Sequence, residues 1–273
     1  MQQRKLAFIG AGNMSRSIIS GLIQSGYDKA CILASNPSTP KLDKLNDEFG
    51  IQVTQSNDEA CQFADAIVLA VKPQIMGEMC ANLQKNNSLE GKLFLSIAAG
   101  LPVARLQSML GGEYPIVRIM PNTPSLIGKG MSGLYADDTV SQEDKRYVDD
   151  VMNSVGETVW VDDESGINGV IAAAGSSPAY FFLFLQAMQE EAMRMGFDKQ
   201  QSRLMVQQAM LGAAEMVCHN PDLELSELRA QVTSKGGTTA QAINTFIDEG
   251  LSEIVSKSMR AAVSRAEEMA KEL

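Results

Sequence analysis

FIGAGNMS, Phe8 to Ser15, is the stretch whose reading decides the fold. It closes a short apolar run, KLAFIG, and leads into a helix-like segment, Arg16 to Ser25. Gly10 and Gly12 have the spacing of a turn beneath a pyrophosphate: the first permits the tight turn, the second lets backbone approach the phosphates. Ser15 stands where G-x-G-x-x-G has its third glycine. That position serves helix–strand packing, so another small residue substitutes there. With a strand before it and a helix after it, the loop is expected to bind a dinucleotide through Gly10, Ala11, Gly12, Asn13 and Met14, with the phosphates facing free N–H groups at the helix start.

Downstream, the same alternation continues. The apolar runs ACILAS, AIVLAV, KLFLSIAAG and PIVRIM are separated by helix-like segments at 40–49, 74–84 and 103–110. Continuous apolar strands alternating with helices predict a parallel sheet covered on both faces. Met131–Tyr135 and Glu157–Val161 read as further strands, with a charged helix between them. From about residue 163 the strands stop and Ala-, Met- and Gln-rich helical patterns take over. The expected fold is therefore α/β: a Rossmann-type parallel-sheet domain over 1–162, then an all-helical domain over 163–273.

In that second part, Ser176, Ser177 and Pro178 read as a hydroxyl cap with Pro in the first turn, and Gly196 as the end of that helix. Further helices are expected over about 199–218, 239–248 and 251–271. AYFFLFLQAM is too short to cross a bilayer and reads as a buried helix. Segments such as MVQQAMLGAAEMV are apolar on more than one face, which calls for burial on two sides and hence a homodimer or larger homo-oligomer through the helical domain.

The chain has 273 residues, 45% apolar and 21% charged, with a formal net charge of −10. Nucleic acid and anionic membrane are poor partners for such a charge, because both reward clustered Lys and Arg. Cys31, Cys61, Cys80 and Cys218 are widely spaced without a C-x-x-C pair, so neither a disulfide framework nor a metal site is expected, and the protein reads as cytoplasmic. Strand-like sequence begins at once and leaves no room for a signal peptide. The single histidine, His219, lies at a helix end before Asn220 and Pro221 and reads as a solvated or capping residue.

The cofactor is read at the end of the second strand, where NAD-binding loops place an acid on the ribose 2′-OH. Ala34, Ser35, Asn36 and Pro37 stand there instead. Without a carboxylate to repel a 2′-phosphate, and with Lys41 or Lys44 in reach, NADPH is favoured, NADH remaining possible.

FIGAGNM, AVKPQ (Ala70–Gln74), SIAAG (Ser96–Gly100), MPNTP (Met120–Pro124), GSSPAY (Gly175–Tyr180) and LRAQVTSKGGTTAQAI (Leu228–Ile243) occur in that order. Together they resemble the pyrroline-5-carboxylate reductases, NAD(P)H-dependent enzymes of the last step of proline biosynthesis. The resemblance spans nearly the whole chain, and its most specific part is V-T-S-x-G-G-T-T before a helix. It implies that Ala70, Val71, Lys72 and Pro73 run along the dinucleotide, that Ala98, Ala99 and Gly100 lie near the nicotinamide, and that Asn57 lies near the adenosine ribose phosphate. It also implies a substrate site of Ser176, Gly237, Thr238 and Thr239, with Thr238 on the carboxylate and Thr239 on the ring nitrogen as the catalytic hydroxyl. The motif's own chemistry agrees, since glycines and threonines at a helix start make a carboxylate cradle, although plain helix capping explains the same residues. Asn122 of MPNTP is expected to line the nicotinamide side, and Ser176 to cap its helix or reach substrate.

Reducing a C=N bond asks for hydride on carbon and a proton on nitrogen. A cyclic imine is basic enough to accept hydride as its iminium, so alignment and water exclusion carry much of the work and no tuned histidine is required. Lys235 departs from the family pattern, where a proline precedes the paired glycines, so a looser cradle loop is expected. The alternatives are a reductase of a related cyclic imine carboxylate, such as a piperideine carboxylate, a β-hydroxyacid dehydrogenase using Lys199, or a non-catalytic NADP-binding regulatory protein. The absence of an acid at residues 34–37 makes a direct prediction: steady-state kcat/KM is higher with NADPH than with NADH, and a clear NADH preference refutes it.

Overall fold

The computed structural model describes residues 2–272 and separates into two compact units: residues up to Ser176 together with those from Ala262 onward, and Ser177–Ala261. The boundary expected at 162/163 lies earlier. The short helix that follows it packs on the sheet, with the Val170 side chain filling the space beside Gly133 and Ile167 fully buried.

The first unit is an eight-stranded sheet in the order β3-β2-β1-β4-β5-β6-β7-β8. Its strands are β1 (Leu6–Ile9), β2 (Ile32–Ser35), β3 (Gln52–Thr54), β4 (Ala66–Leu69), β5 (Leu93–Ser96), β6 (Ile116–Met120), β7 (Gly130–Ala136) and β8 (Gly156–Trp160). Its helices are α1 (Asn13–Gln24), α2 (Thr39–Phe49), α3 (Asn57–Phe63), α4 (Pro73–Asn86), α5 (Val103–Leu110), α6 (Gln142–Asn153) and α7 (Gly166–Val170). Successive strand residues face opposite sides. Leu6 and Phe8 accordingly join a core with Ile18, Ile19, Leu22, Tyr147 and Val148, while Ala7 and Ile9 join another with Met76, Cys80, Leu83, Leu106 and Leu110. Both faces are thus covered, which is why the strands read as unbroken apolar runs.

β1 to β6 are parallel, but β7 runs antiparallel to β6 and β8 follows β7 in parallel. The parallel sheet expected from the sequence holds, with β7 as the one strand that runs antiparallel to its neighbour β6. A parallel crossover takes a dozen or more residues. The β6–β7 link, 121–129, offers only a 3₁₀ turn at Thr123–Ile127, so the chain doubles back.

The second unit is helical: α8 (Ser177–Arg194), α9 (Lys199–His219), α10 (Leu225–Gln231), α11 (Thr238–Asp248) and the first part of α12 (Leu251–Glu272), whose last residues belong to the first unit. α9 starts with a capping box, Asp198 accepting from Gln201 N–H. Short α10 has a capping box of its own between Glu224 and Glu227, a signal the sequence reading passed over. α8 begins at Ser177 with Pro178 in its first turn, as expected, but a π turn, Ile171–Gly175, and a bend at Ser176 lead directly into it. The run Gly166–Arg194 has the length and mean hydropathy (1.4) of a membrane-crossing helix, with 6% of its most apolar window buried. Phe181, Phe182 and Leu183 are more than half exposed, so AYFFLFLQAM is not a buried helix within the single chain.

One glycine decides a sign. Gly21 sits inside α1, where alanine is ordinarily worth about 1 kcal/mol more. A Cβ there would collide with the Ser154 carbonyl oxygen and the Val155 side chain. Overpacking of this kind costs typically ~1–3 kcal/mol, so Gly21→Ala is expected to lower Tm, and an unchanged or raised Tm contradicts the packing.

Candidate functional site

The strand order reverses between β1 and β4, and ligands of open α/β sheets bind in the crevice at the carboxyl ends of such a pair. Gly10 and Ala70 mark that crevice. Gly10 has φ +111°, and a Cβ on it would lie 2.7 Å from the Ala70 carbonyl oxygen, so only glycine fits. Gly12 is the N-cap of α1 with extended backbone, and no side chain caps the helix. The N–H groups of the first turn therefore remain open. A Cβ on Gly12 would meet nothing within 4 Å, which leaves room in front of those amides. Ser15 is buried and its hydroxyl donates to the Gly10 carbonyl at 2.6 Å, tying the turn to the helix. A hydroxyl here closes the loop from within while staying clear of the open space.

At the end of β2, Gly10 N–H donates to Ser35 O at 2.9 Å, and the Ser35 hydroxyl donates to Asn57 Oδ1 at 2.8 Å. Ser35 is wholly buried, so its hydroxyl fixes Asn57 at the start of α3. Asn36 is clamped in turn, its Nδ2 donating to Ser38 O and Oγ. Lys41 and Lys44 are exposed on α2. Gly10, Ser35, Asn57 and Val71 line one cavity of about 270 Å³ with Ile75 and Asn82. Lys72 is exposed at the N-cap of α4, followed by Pro73 in the first turn. The structure thus brings the β1, β2 and β4 loops together, with no carboxylate among residues 34–37. This set fits a dinucleotide carrying a 2′-phosphate: open amides, a glycine cradle and nearby lysines.

The β5 loop borders a second cavity of about 230 Å³, lined by Ala99, Gly100, Arg118, Met120, Ile171 and Ser176, with the end of α12. Gly100 has φ +78° and Ala98 is buried beside it. This loop is braced by a contact that the sequence reading missed. Glu164 Oε1 accepts from Val103 N–H at 2.8 Å, the first residue of α5, and from Arg118 Nη1 at 3.0 Å. Arg118 is 5% exposed. The signal was present in PIVRIM, where a lone cation interrupts an apolar strand. Asn122 is also buried, with both ends of its amide engaged, Nδ2 donating to Ala174 O and Oδ1 accepting from Met131 N–H. It is absent from the lining of the cavity beside Ala99 and Gly100.

In the second unit, Gly237 is the extended N-cap of α11, again without a side-chain cap. Thr238 and Thr239 are exposed, and neither hydroxyl makes a hydrogen bond among the described residues. Helix capping therefore does not occupy them. Gly237 N–H donates to Ser234 O at 3.0 Å across Lys235 and Gly236, the latter at φ +75°. That is a turn with Lys235 at its second position, where proline is common but not required. Lys235 thus fits the turn without the proline. His219 Nδ1 contacts the Glu215 carbonyl at 2.8 Å on the surface of α9. Burial pushes the Cys80 thiol up to about 12, so it stays an unreactive thiol.

The two glycines should part company on substitution. Gly12→Ala is expected to keep the parent Tm while NADPH affinity, by calorimetry, falls at least about tenfold, ~1.4 kcal/mol. Gly10→Ala is expected to lower Tm as well. Undiminished NADPH affinity in Gly12→Ala contradicts the placement of the phosphates.

Comparison with known proteins agrees with this geometry. The profile described as pyrroline-5-carboxylate reductase dimerisation matches residues 164–269, and that described as NADP oxidoreductase, coenzyme F420-dependent, matches residues 5–100. The pyrroline-5-carboxylate reductase of Vibrio alginolyticus is 55% identical over 271 residues, 99% of each chain. A solved pyrroline-5-carboxylate reductase from Coxiella burnetii superposes with a TM-score of 0.94 at 39% identity, covering 98% of this chain and 99% of that one. The pyrroline carboxylate reductase of Plasmodium falciparum, solved with NADP bound, has a TM-score of 0.85 at 30% identity, covering 99% of both chains. Two open helix starts, a glycine crevice with no acid at the end of β2 and relatives matched from end to end lead to one conclusion: the chain belongs to the pyrroline-5-carboxylate reductase family, NAD(P)-dependent oxidoreductases acting on a C=N bond.

Proposed function

We propose that this chain reduces pyrroline-5-carboxylate to proline with the residues described above in specific roles. The observation that carries the assignment is the start of α11: an uncapped helix N-terminus with two unengaged threonine hydroxyls. Its open amides and Thr238 bind the substrate carboxylate, the helix dipole adding to their attraction. Thr239 hydrogen-bonds the ring nitrogen and stabilises its N–H. Gly10 to Met14, Ser35, Asn36, Asn57 and Ala70 to Pro73 hold the dinucleotide. Ala98, Ala99 and Gly100 give the nicotinamide close backbone contact, and Ser176 completes the substrate side. Bound NADPH supplies the hydride. The protein's share is to fix the imine, exclude water and keep a hydroxyl oxygen at the ring N–H to accept from it, and alignment of this kind is worth several kcal/mol, on the order of 7 or more in favourable cases.

The exposed apolar residues of α8, such as Phe181 and Phe182, support a homodimer or larger assembly through the helical unit. Four free cysteines support a cytoplasmic setting. A piperideine carboxylate remains the second substrate to test, since a longer cyclic imine presents the same two groups to Thr238 and Thr239.

One assay separates these readings: NADPH oxidation with pyrroline-5-carboxylate, with the piperideine analogue, and with no substrate. The first should be consumed fastest, and no oxidation with it sinks the proposal. Thr239→Ala should lower kcat by about 10²-fold, as loss of a general acid–base group does, with NADPH affinity unchanged. Equal loss of both would assign Thr239 to the fold alone.

A further inference from the structure

Pro102 stands at the N-cap of α5, and its side chain has no polar atom with which to cap the helix. The first amide of α5 finds its partner elsewhere. Glu164, 61 residues on, supplies it, Oε1 accepting from Val103 N–H at 2.8 Å. The same oxygen accepts from Arg118 Nη1 at 3.0 Å. Glu164 lies in the turn between β8 and α7, and that turn is itself held. Asp163 Oδ1 accepts from Ser165 N–H at 2.8 Å, and the Glu164 carbonyl from Ile167 N–H at 3.1 Å.

The β5–α5 loop, 97–102, is thus hydrogen-bonded at both ends. Ile97 N–H donates to the Leu69 carbonyl at 3.2 Å at one, and Val103 N–H to Glu164 at the other. Gly100, at φ +78°, turns the chain between them. Leu101 and Val103 bury their side chains, which sets the depth of the loop, but apolar burial has no direction. Direction comes from the hydrogen bonds. Arg118 pairs across the sheet with Ser96, the last residue of β5, and shares a cavity with Ala99 and Gly100. One carboxylate oxygen therefore fixes both the loop and the cavity wall beside it.

We propose that Glu164 is a positioning residue for the reduction: its Oε1 orients the Ala98–Gly100 loop, and with it the nicotinamide, through Val103 N–H. The inference rests on the reading of that loop as the nicotinamide side. The role belongs to the acceptor oxygen, which a carboxamide also presents, and not to the negative charge. Without it a buried N–H at the start of α5 loses its partner, and the loop is free to turn about its apolar anchors. Displacements of about 1 Å in a reacting constellation cost on the order of 10²-fold in rate.

The test compares Glu164→Gln, which keeps the acceptor, with Glu164→Leu, which removes it, the latter also in an Arg118→Met background. With both partners apolar no charge is left buried and unpaired, so the double variant should keep or exceed the parent Tm. Glu164→Leu should lower kcat with pyrroline-5-carboxylate about 10- to 100-fold, and by the same factor when added to Arg118→Met, while NADPH affinity, by calorimetry, stays within about threefold. The isotope effect on kcat with NADPH deuterated at nicotinamide carbon 4 should rise, because a misplaced ring slows hydride transfer relative to other steps. Glu164→Gln should recover most of kcat. Amide hydrogen exchange over 98–104 reads the brace without turnover and should quicken at least about tenfold in Glu164→Leu but not in Glu164→Gln. Unchanged exchange in Glu164→Leu overturns the brace whether or not the chain reduces the imine. Quickened exchange with unchanged kcat and isotope effect makes Glu164 structural only and overturns its positioning role. Glu164→Gln as slow as Glu164→Leu, or no further loss in the Arg118→Met background, assigns the effect to charge and overturns the acceptor. An unsubstituted chain inert toward pyrroline-5-carboxylate overturns the functional reading, and with it the catalytic half of this inference, whereas the exchange result still decides the brace.

Discussion

The contact on which the rest depends is the approach of Gly10 to the Ala70 carbonyl. Where β1 ends, the chain turns at φ +111° with no room for a Cβ, because the end of β4 lies directly beside it. That closeness follows from the strand order, in which β2 and β3 lie on one side of β1 and β4 to β6 on the other. The turn delivers Gly12 to the start of α1 with its amides uncapped, and Ser15 fastens the loop from below through the Gly10 carbonyl. Neighbouring loops are referred to the same point. Ser35 accepts from Gly10 N–H, and its hydroxyl in turn fixes Asn57.

A chain with net charge −10 must hold anionic ligands by local means. Both units present an extended glycine before a helix whose first turn lacks a side-chain cap, at Gly12 and at Gly237, and in the proposed function each holds an anionic group. Backbone amides are fixed dipoles that need little reorganisation on binding, so an acidic surface need not weaken them. Helices α3, α6 and α9 are closed by Ser56, Ser141 and Asp198, which accept from first-turn amides, while α2 and α4, like α1 and α11, start without a side-chain cap. What sets α1 and α11 apart is an extended glycine at the N-cap, at the two motifs on which the family resemblance rests.

Much of this was legible in the sequence because it depends on local rules. Apolar runs marked β1, β2 and β4 to β6, paired glycines marked the crevice, and ASNPS marked the absence of an acid. What escaped depends on contacts distant in sequence. The reversal of β7 follows from the shortness of the 121–129 link, yet Met131–Tyr135 looks the same in either direction. The π turn Ile171–Gly175 before α8 left no mark in the sequence, and the Asn122 amide reaches the Ala174 carbonyl in it from far back in the chain. Arg118 was visible as a cation within PIVRIM, but its partner, Glu164, lies 46 residues away.

In the proposed reaction, hydride passes to the imine carbon of a substrate held by backbone amides and threonine hydroxyls, with no acid–base side chain of tuned pKa. The most direct measurement follows the label: reduction of pyrroline-5-carboxylate with NADPH deuterated at nicotinamide carbon 4, with the product read by mass spectrometry and NMR. The account predicts proline with a single deuterium, of one configuration, on the former imine carbon. Unlabelled proline, or deuterium entering that carbon from heavy water with unlabelled NADPH, would contradict it.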